Sequence, residues 1–139
     1  MRLAHGIHLA YCTNVHRGRN WTETFASLEN DVLRVRQAVC PDEPYAIGLR
    51  LGADAAKELS DGENLLKFRK WLEAKNCYVF TINGFPYGNF HGARVKEQVY
   101  RPDWTDARRS SYTLELAELL ADLIEPGDSG GVSTVPLGW

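Results

Sequence analysis

Hydrophobic positions fall into two kinds of segment that alternate along the chain. Four of them are short and dense: residues 7–12, 45–51, 77–82 and 131–137. The first ends at Thr13 and Asn14, and the third runs into Asn83 and Gly84. The first three have the length of strands and are rich in aromatic or β-branched residues. They do not alternate apolar with polar, which is the pattern of parallel strands covered on both faces.

The segments between them have helical spacing. Asn20 is a helix cap, with Glu23 three residues on. Trp21, Phe25, Leu28, Val32, Val35 and Val39 then recur at steps of four and three, one face of a single helix that Pro41 closes. A second helical segment carries Ala55, Ala56 and Leu59, breaks at Ser60-Asp61-Gly62, and restarts at Glu63 with Leu65, Phe68 and Leu72 on one side. A third runs from about residue 105 to 124, with Tyr112, Leu116, Leu119, Leu120 and Leu123 apolar, and stops at Glu125-Pro126-Gly127.

The order β-α-β-α-β-α-β predicts an α/β protein with right-handed crossovers and a parallel sheet. A closed (β/α)₈ barrel needs about 250 residues, and the chain has 139. The expected architecture is therefore one domain of four βα-type units, the N-terminal half of a TIM barrel truncated at its C-terminus. A small open sheet is the alternative. An open half-barrel would expose two strand edges, so self-association is expected.

Composition narrows the function classes. The chain is 44% hydrophobic and 24% charged, with a formal net charge of −2. That balance argues against a general nucleic-acid binder, which shows a strongly basic face. Three widely spaced cysteines without a Cys-x-x-Cys pair argue against a zinc ribbon or a disulfide framework, and fit a reducing cytoplasm. No apolar run approaches the ~20 residues of a membrane span, so no membrane insertion is expected.

Ligands of parallel α/β proteins sit at the carboxyl ends of the strands. That rule selects Thr13, Asn14 and His16, then Arg50, then Asn83 and the connection after it, then Ser133 and Thr134. Arg50 interrupts an apolar strand, and burying it is costly without a partner. An anion in a cleft and a structural ion pair both answer that cost. The connection from residue 83 to 105 far exceeds the ~2–6 residues of an ordinary βα loop. It carries Phe85, Tyr87, Phe90 and His91, then Arg94, Lys96, Glu97 and Arg101. His16, His91 and Glu97 are the candidates for proton transfer, and His91 also for ligation of a divalent metal. Asn14, Asn83 and Tyr87 are candidate substrate contacts, and Arg50, Arg94, Lys96 and Arg101 could clamp a phosphate or carboxylate. A solvated surface segment is the plain alternative for the charged stretch. His5 and His8 lie on the wrong side of the sheet for chemistry. No P-loop, G-x-G-x-x-G or nucleophile elbow is present.

Several of these segments together resemble the metabolite traffic protein EboE family. They are His-Leu-Ala-Tyr-Cys-Thr-Asn-Val-His from His8, Gly-Leu-Arg-Leu from Gly48, and Phe-Thr-Ile-Asn-Gly-Phe-Pro-Tyr-Gly-Asn-Phe-His-Gly from Phe80. Val-Lys-Glu-Gln-Val-Tyr-Arg-Pro-Asp-Trp from Val95 and Ser-Thr-Val-Pro-Leu-Gly from Ser133 are similar to it too. The resemblance spans essentially the whole chain. It implies a xylose-isomerase-like barrel of the sugar isomerase and epimerase type. It also implies a bacterial operon that processes or moves secondary-metabolite precursors toward the periplasm, with other proteins of that operon as partners. Family members are longer, and related barrels place most divalent-metal ligands on later strands, so His91 would be one contributor to an incomplete set. Three hypotheses follow: an isomerase- or epimerase-like protein acting on a small polar metabolite, a non-catalytic carrier on the same fold, and a metal-dependent DNA-repair endonuclease of a related barrel type. The acidic balance favours the last least.

Overall fold

Four strands line up in one sheet in the order of the chain. They are β1 (Ala10–Cys12), β2 (Tyr45–Arg50), β3 (Cys77–Asn83) and β4 (Gly131–Ser133), and every neighbouring pair is parallel. The structure, a computed structural model, describes residues 1–88 and 98–137. The fold is mixed α/β with a parallel sheet, as the alternation of segments predicts. None of the described helices is long and apolar enough to cross a membrane.

The first and last strands are shorter than the apolar runs that predict them. Residues 1–9 fold back on themselves instead of extending β1. His5 and Gly6 turn the chain with φ of 62° and 71°, and Leu9 N–H donates to the Met1 carbonyl at 2.9 Å. Two residues in left-handed backbone make a tight reversal that a strand cannot absorb. After β4, Pro136 has no N–H to give a ladder.

All six residues of β2 are buried. Tyr45, Ile47 and Leu49 join the main core with Leu28, Val32, Phe68 and Trp71, so they face the helices. Ala46, Gly48 and Arg50 alternate with them and take the other face. The register against β3 shifts between Ile47 and Gly48, which pair with Val79 and Thr81. Phe80 is thus the extra residue of a bulge. Its effect reverses the pleat that follows: Ile82 turns into the core, and Asn83 shares a face with Arg50.

The helices follow the sequence closely except in one place. Asn20 caps α1 (Trp21–Ser27) by accepting from Glu23 N–H at 2.9 Å. The helix does not then run regularly to Val39. A π turn (Leu28–Val32) intervenes before α2 (Leu33–Val39). A π turn takes more residues per revolution, so it rotates everything after it out of phase. Leu33 packs against the core in consequence, and Val39 is 62% exposed. Helices α3 (Ala53–Leu59) and α4 (Gly62–Ala74) break where Ser60 and Asp61 predict, and Asp61 caps α4. Helix α5 (Ala107–Leu123) starts at the Asp106 cap and buries Tyr112, Leu116, Leu119, Leu120 and Leu123 against β3 and β4.

Candidate functional site

The carboxyl ends of the four strands bring Thr13, Asn14, Arg50, Asn83 and Ser133 to one end of the sheet. Arg50 is 4% exposed, and burial lowers its pKa from the ordinary value. Its Nη1 donates to the Gly18 carbonyl at 3.1 Å, and its Nη2 to the carbonyls of Pro86 at 3.2 Å and Gly88 at 2.7 Å. Its own N–H donates to Thr13 Oγ1 at 2.8 Å. These contacts give the guanidinium work inside the fold: it joins the loop after β1 to the loop after β3. Beside it, between Arg19, Gly52, Asp54 and Tyr87, lies a cavity of about 50 Å³.

Asn83 ends β3, and the bulge turns it to the face that Arg50 occupies. Its Oδ1 accepts from Phe85 N–H at 3.1 Å and from Ser133 Oγ at 3.0 Å. Gly84 N–H donates to the Ser133 carbonyl at 2.8 Å, which locks the start of the long connection onto β4. A Cβ at Gly84 would meet Leu116 Cδ1 at 2.7 Å and the Ser133 carbonyl at 3.0 Å, so a larger residue there would need both to give way. Tyr87 is half-buried. Its carbonyl accepts from Ala53 N–H at 2.8 Å, and its ring meets Tyr112 edge-on at 4.9 Å. Tyr112 donates its hydroxyl to the Leu51 carbonyl, and burial holds its pKa far above the ordinary tyrosine value.

Asn14 is half-buried in the loop after β1, and its Oδ1 is a buried acceptor without a hydrogen-bond partner among the described residues. Buried polar atoms are satisfied in the large majority of cases, so each exception calls for a cause. His16 lies in a different setting. Its Nε2 is 2.9 Å from the Tyr11 hydroxyl, and its Nδ1 is 3.7 Å from Asp31 Oδ2 in the π turn. Tyr11 pairs with Ile47, on the helix-facing side of the sheet. The imidazole therefore bridges β1 to the helix layer. Arg101 is exposed in an open cleft of about 430 Å³ with Asp103, Asp106 and Arg108, at the start of α5. His91, Arg94, Lys96 and Glu97 lie outside the described residues. His8 packs its ring against Tyr78 and Phe80 at 5.6 and 5.0 Å, at the opposite end of the strands.

One residue of this region escapes the sequence argument. Arg109 is fully buried, with Nε donating to the Pro102 carbonyl at 2.8 Å and Nη1 to the Gly84 carbonyl at 3.1 Å. The signal was present. Arg109 lies three residues before Tyr112, in step with Leu116, Leu119 and Leu123, and so on the buried stripe of α5.

Among the described residues, no three His, Cys, Asp or Glu side chains gather as a cation site. Fold and site together define a parallel α/β protein with a polar cluster at the strand carboxyl ends. No protein-family model matches the chain, and neither a curated protein nor a solved structure matches it.

Proposed function

We propose that this chain is an EboE-like metabolite traffic protein, built as the N-terminal half of a xylose-isomerase-like barrel. In this reading it takes a small polar metabolite at the strand carboxyl ends, in the cytoplasm, and acts with other proteins of one operon toward export of a secondary-metabolite precursor. The motif resemblance and the parallel strand order support it. The observation that carries the binding site is the unpartnered acceptor of Asn14, on the same end of the sheet as Asn83 and Ser133. A buried carbonyl oxygen without a donor is matched by a ligand hydroxyl, and a polyhydroxy compound brings several. The divalent-metal part of the expectation rests, in this chain, on His91 alone.

A second reading, a non-catalytic carrier on the same fold, draws on a specific observation. His16 and Arg50 are both engaged in contacts within the fold, which leaves fewer groups for proton transfer and for clamping an anion. One experiment serves both readings. The whole chain is titrated calorimetrically with a panel of sugar phosphates and polyols. At least one should bind, and Asn14→Leu should weaken it ~10-fold, the size of a lost hydrogen bond to a buried group. A wild-type chain that binds none of them would sink the proposal. Conversion of a bound sugar phosphate into its isomer or epimer, read by NMR, marks the isomerase-like case, and its absence the carrier.

A further inference from the structure

Two buried guanidiniums hold the segment that leaves β3, one from each side. Arg50 takes the carbonyls of Pro86 and Gly88. Arg109 takes the carbonyl of Gly84 at 3.1 Å, at one foot of the connection between β3 and α5, and that of Pro102 at 2.8 Å, at the other. Its guanidinium also lies 5.6 Å from the ring centre of Tyr87 and 5.4 Å from that of Tyr112. The two feet touch again where Phe85 stacks on Tyr100, with ring centres 5.5 Å apart. For stability alone an arginine is a poor choice here. It sits in the first turn of a 17-residue helix, at the positive end of the dipole, and is fully desolvated. What arginine offers that lysine does not is a planar fork, able to hold two acceptors at fixed separation.

We infer that Arg109 is the positioning residue of the candidate site: its fork closes the neck of residues 84–102 and so fixes Tyr87 and Asn83 for a ligand. The ligand part rests on the proposed function, while the closed neck does not. Two amides report the neck directly, Ala53 N–H on the Tyr87 carbonyl and Gly84 N–H on the Ser133 carbonyl.

The test is hydrogen exchange on the whole chain. In Arg109→Lys, which keeps the charge and loses the fork, both amides should exchange ~10-fold faster while Ile47 and Leu49 stay as protected as before. In Arg109→Ala, ethylguanidinium should restore their protection and ethylammonium should not. The affinity for any sugar phosphate that binds the wild type should fall in both variants. Unchanged exchange at the two amides in Arg109→Lys, a rise spread equally through β2, or equal rescue by ethylammonium would each overturn the inference. If the wild type binds no sugar phosphate, the proposed function fails and the exchange result still decides the neck.

Discussion

Arg50 shows what a sequence can and cannot say about a single residue. A charge inside an apolar strand is visible at once, and so is its need for a partner. The partners are carbonyls from two segments far from Arg50 in the chain, at Gly18 and at Pro86 and Gly88, and a main-chain carbonyl has no sequence signature. Arg109 was legible in principle, because its spacing puts it on the stripe of Tyr112 and Leu116, but an arginine near a helix start reads as solvent-facing. The orphan acceptor of Asn14 is invisible in sequence, since only the surroundings make it an orphan. Cys77 carries a prediction at this scale. Burial pushes its thiol up from 9.0 to about 11. The folded chain then keeps a proton that the unfolded chain releases, so this contribution is whole below pH 9 and is lost as the pH rises toward 11. The loss amounts to ~2 kcal/mol. Tyr45, pushed up to about 12 by burial, adds in the same direction. Urea unfolding at pH 8 and pH 10.5 should show a smaller fall for Cys77→Ala than for the wild type, whatever their stabilities at pH 8.

Elements were more legible than residues, and the one departure has a physical cause. Steps of four and three from Trp21 to Val39 describe a regular helix, and that pattern holds through Val32. The adjacent apolar pair Val32 and Leu33 lets the π turn pass the buried face from one phase to the next without exposing the core. Residues after the turn therefore carry little weight. Leu28→Ala, within the π turn and 1% exposed, should cost ~2–5 kcal/mol. Val39→Lys should change stability by less than about 0.5 kcal/mol. A cost for Val39→Lys like that for Leu28→Ala, in the same denaturation series, would restore the regular helix. The bulge at Phe80 is the other hidden element. Period-two reasoning from Cys77 puts Asn83 on the helix side, and only the extra residue brings it to Arg50.

At the scale of the molecule, the alternation of segments was enough to predict a parallel sheet. The order β1-β2-β3-β4 seen in the structure agrees with short crossovers that favour sequence neighbours. The outer strands β1 and β4 each pair on one side only among the described residues. Leu3, Ile7 and Leu9, close to β1 in the chain, are about half exposed, at 50%, 56% and 52%. An unpaired edge beside exposed apolar side chains favours association. Sedimentation velocity over rising concentration should show self-association, reduced in the double variant Ile7→Lys, Leu9→Lys. A single monomeric boundary at every concentration would contradict this.

The paired grip of Arg109 on Gly84 and Pro102 also sets what the chain between them is allowed to become. Once the two ends are held together, the cost of lengthening a flexible loop grows only with the logarithm of its length, ~0.6 kcal/mol per doubling. Pro86, Tyr87 and Gly88 are held separately by Arg50, Ala53 and Tyr112, so the exchangeable stretch begins after Gly88, where an insertion should leave the scaffold beneath unchanged. New specificity could be installed on this fold by replacing that stretch alone, with the arginine left in place as its fixed socket.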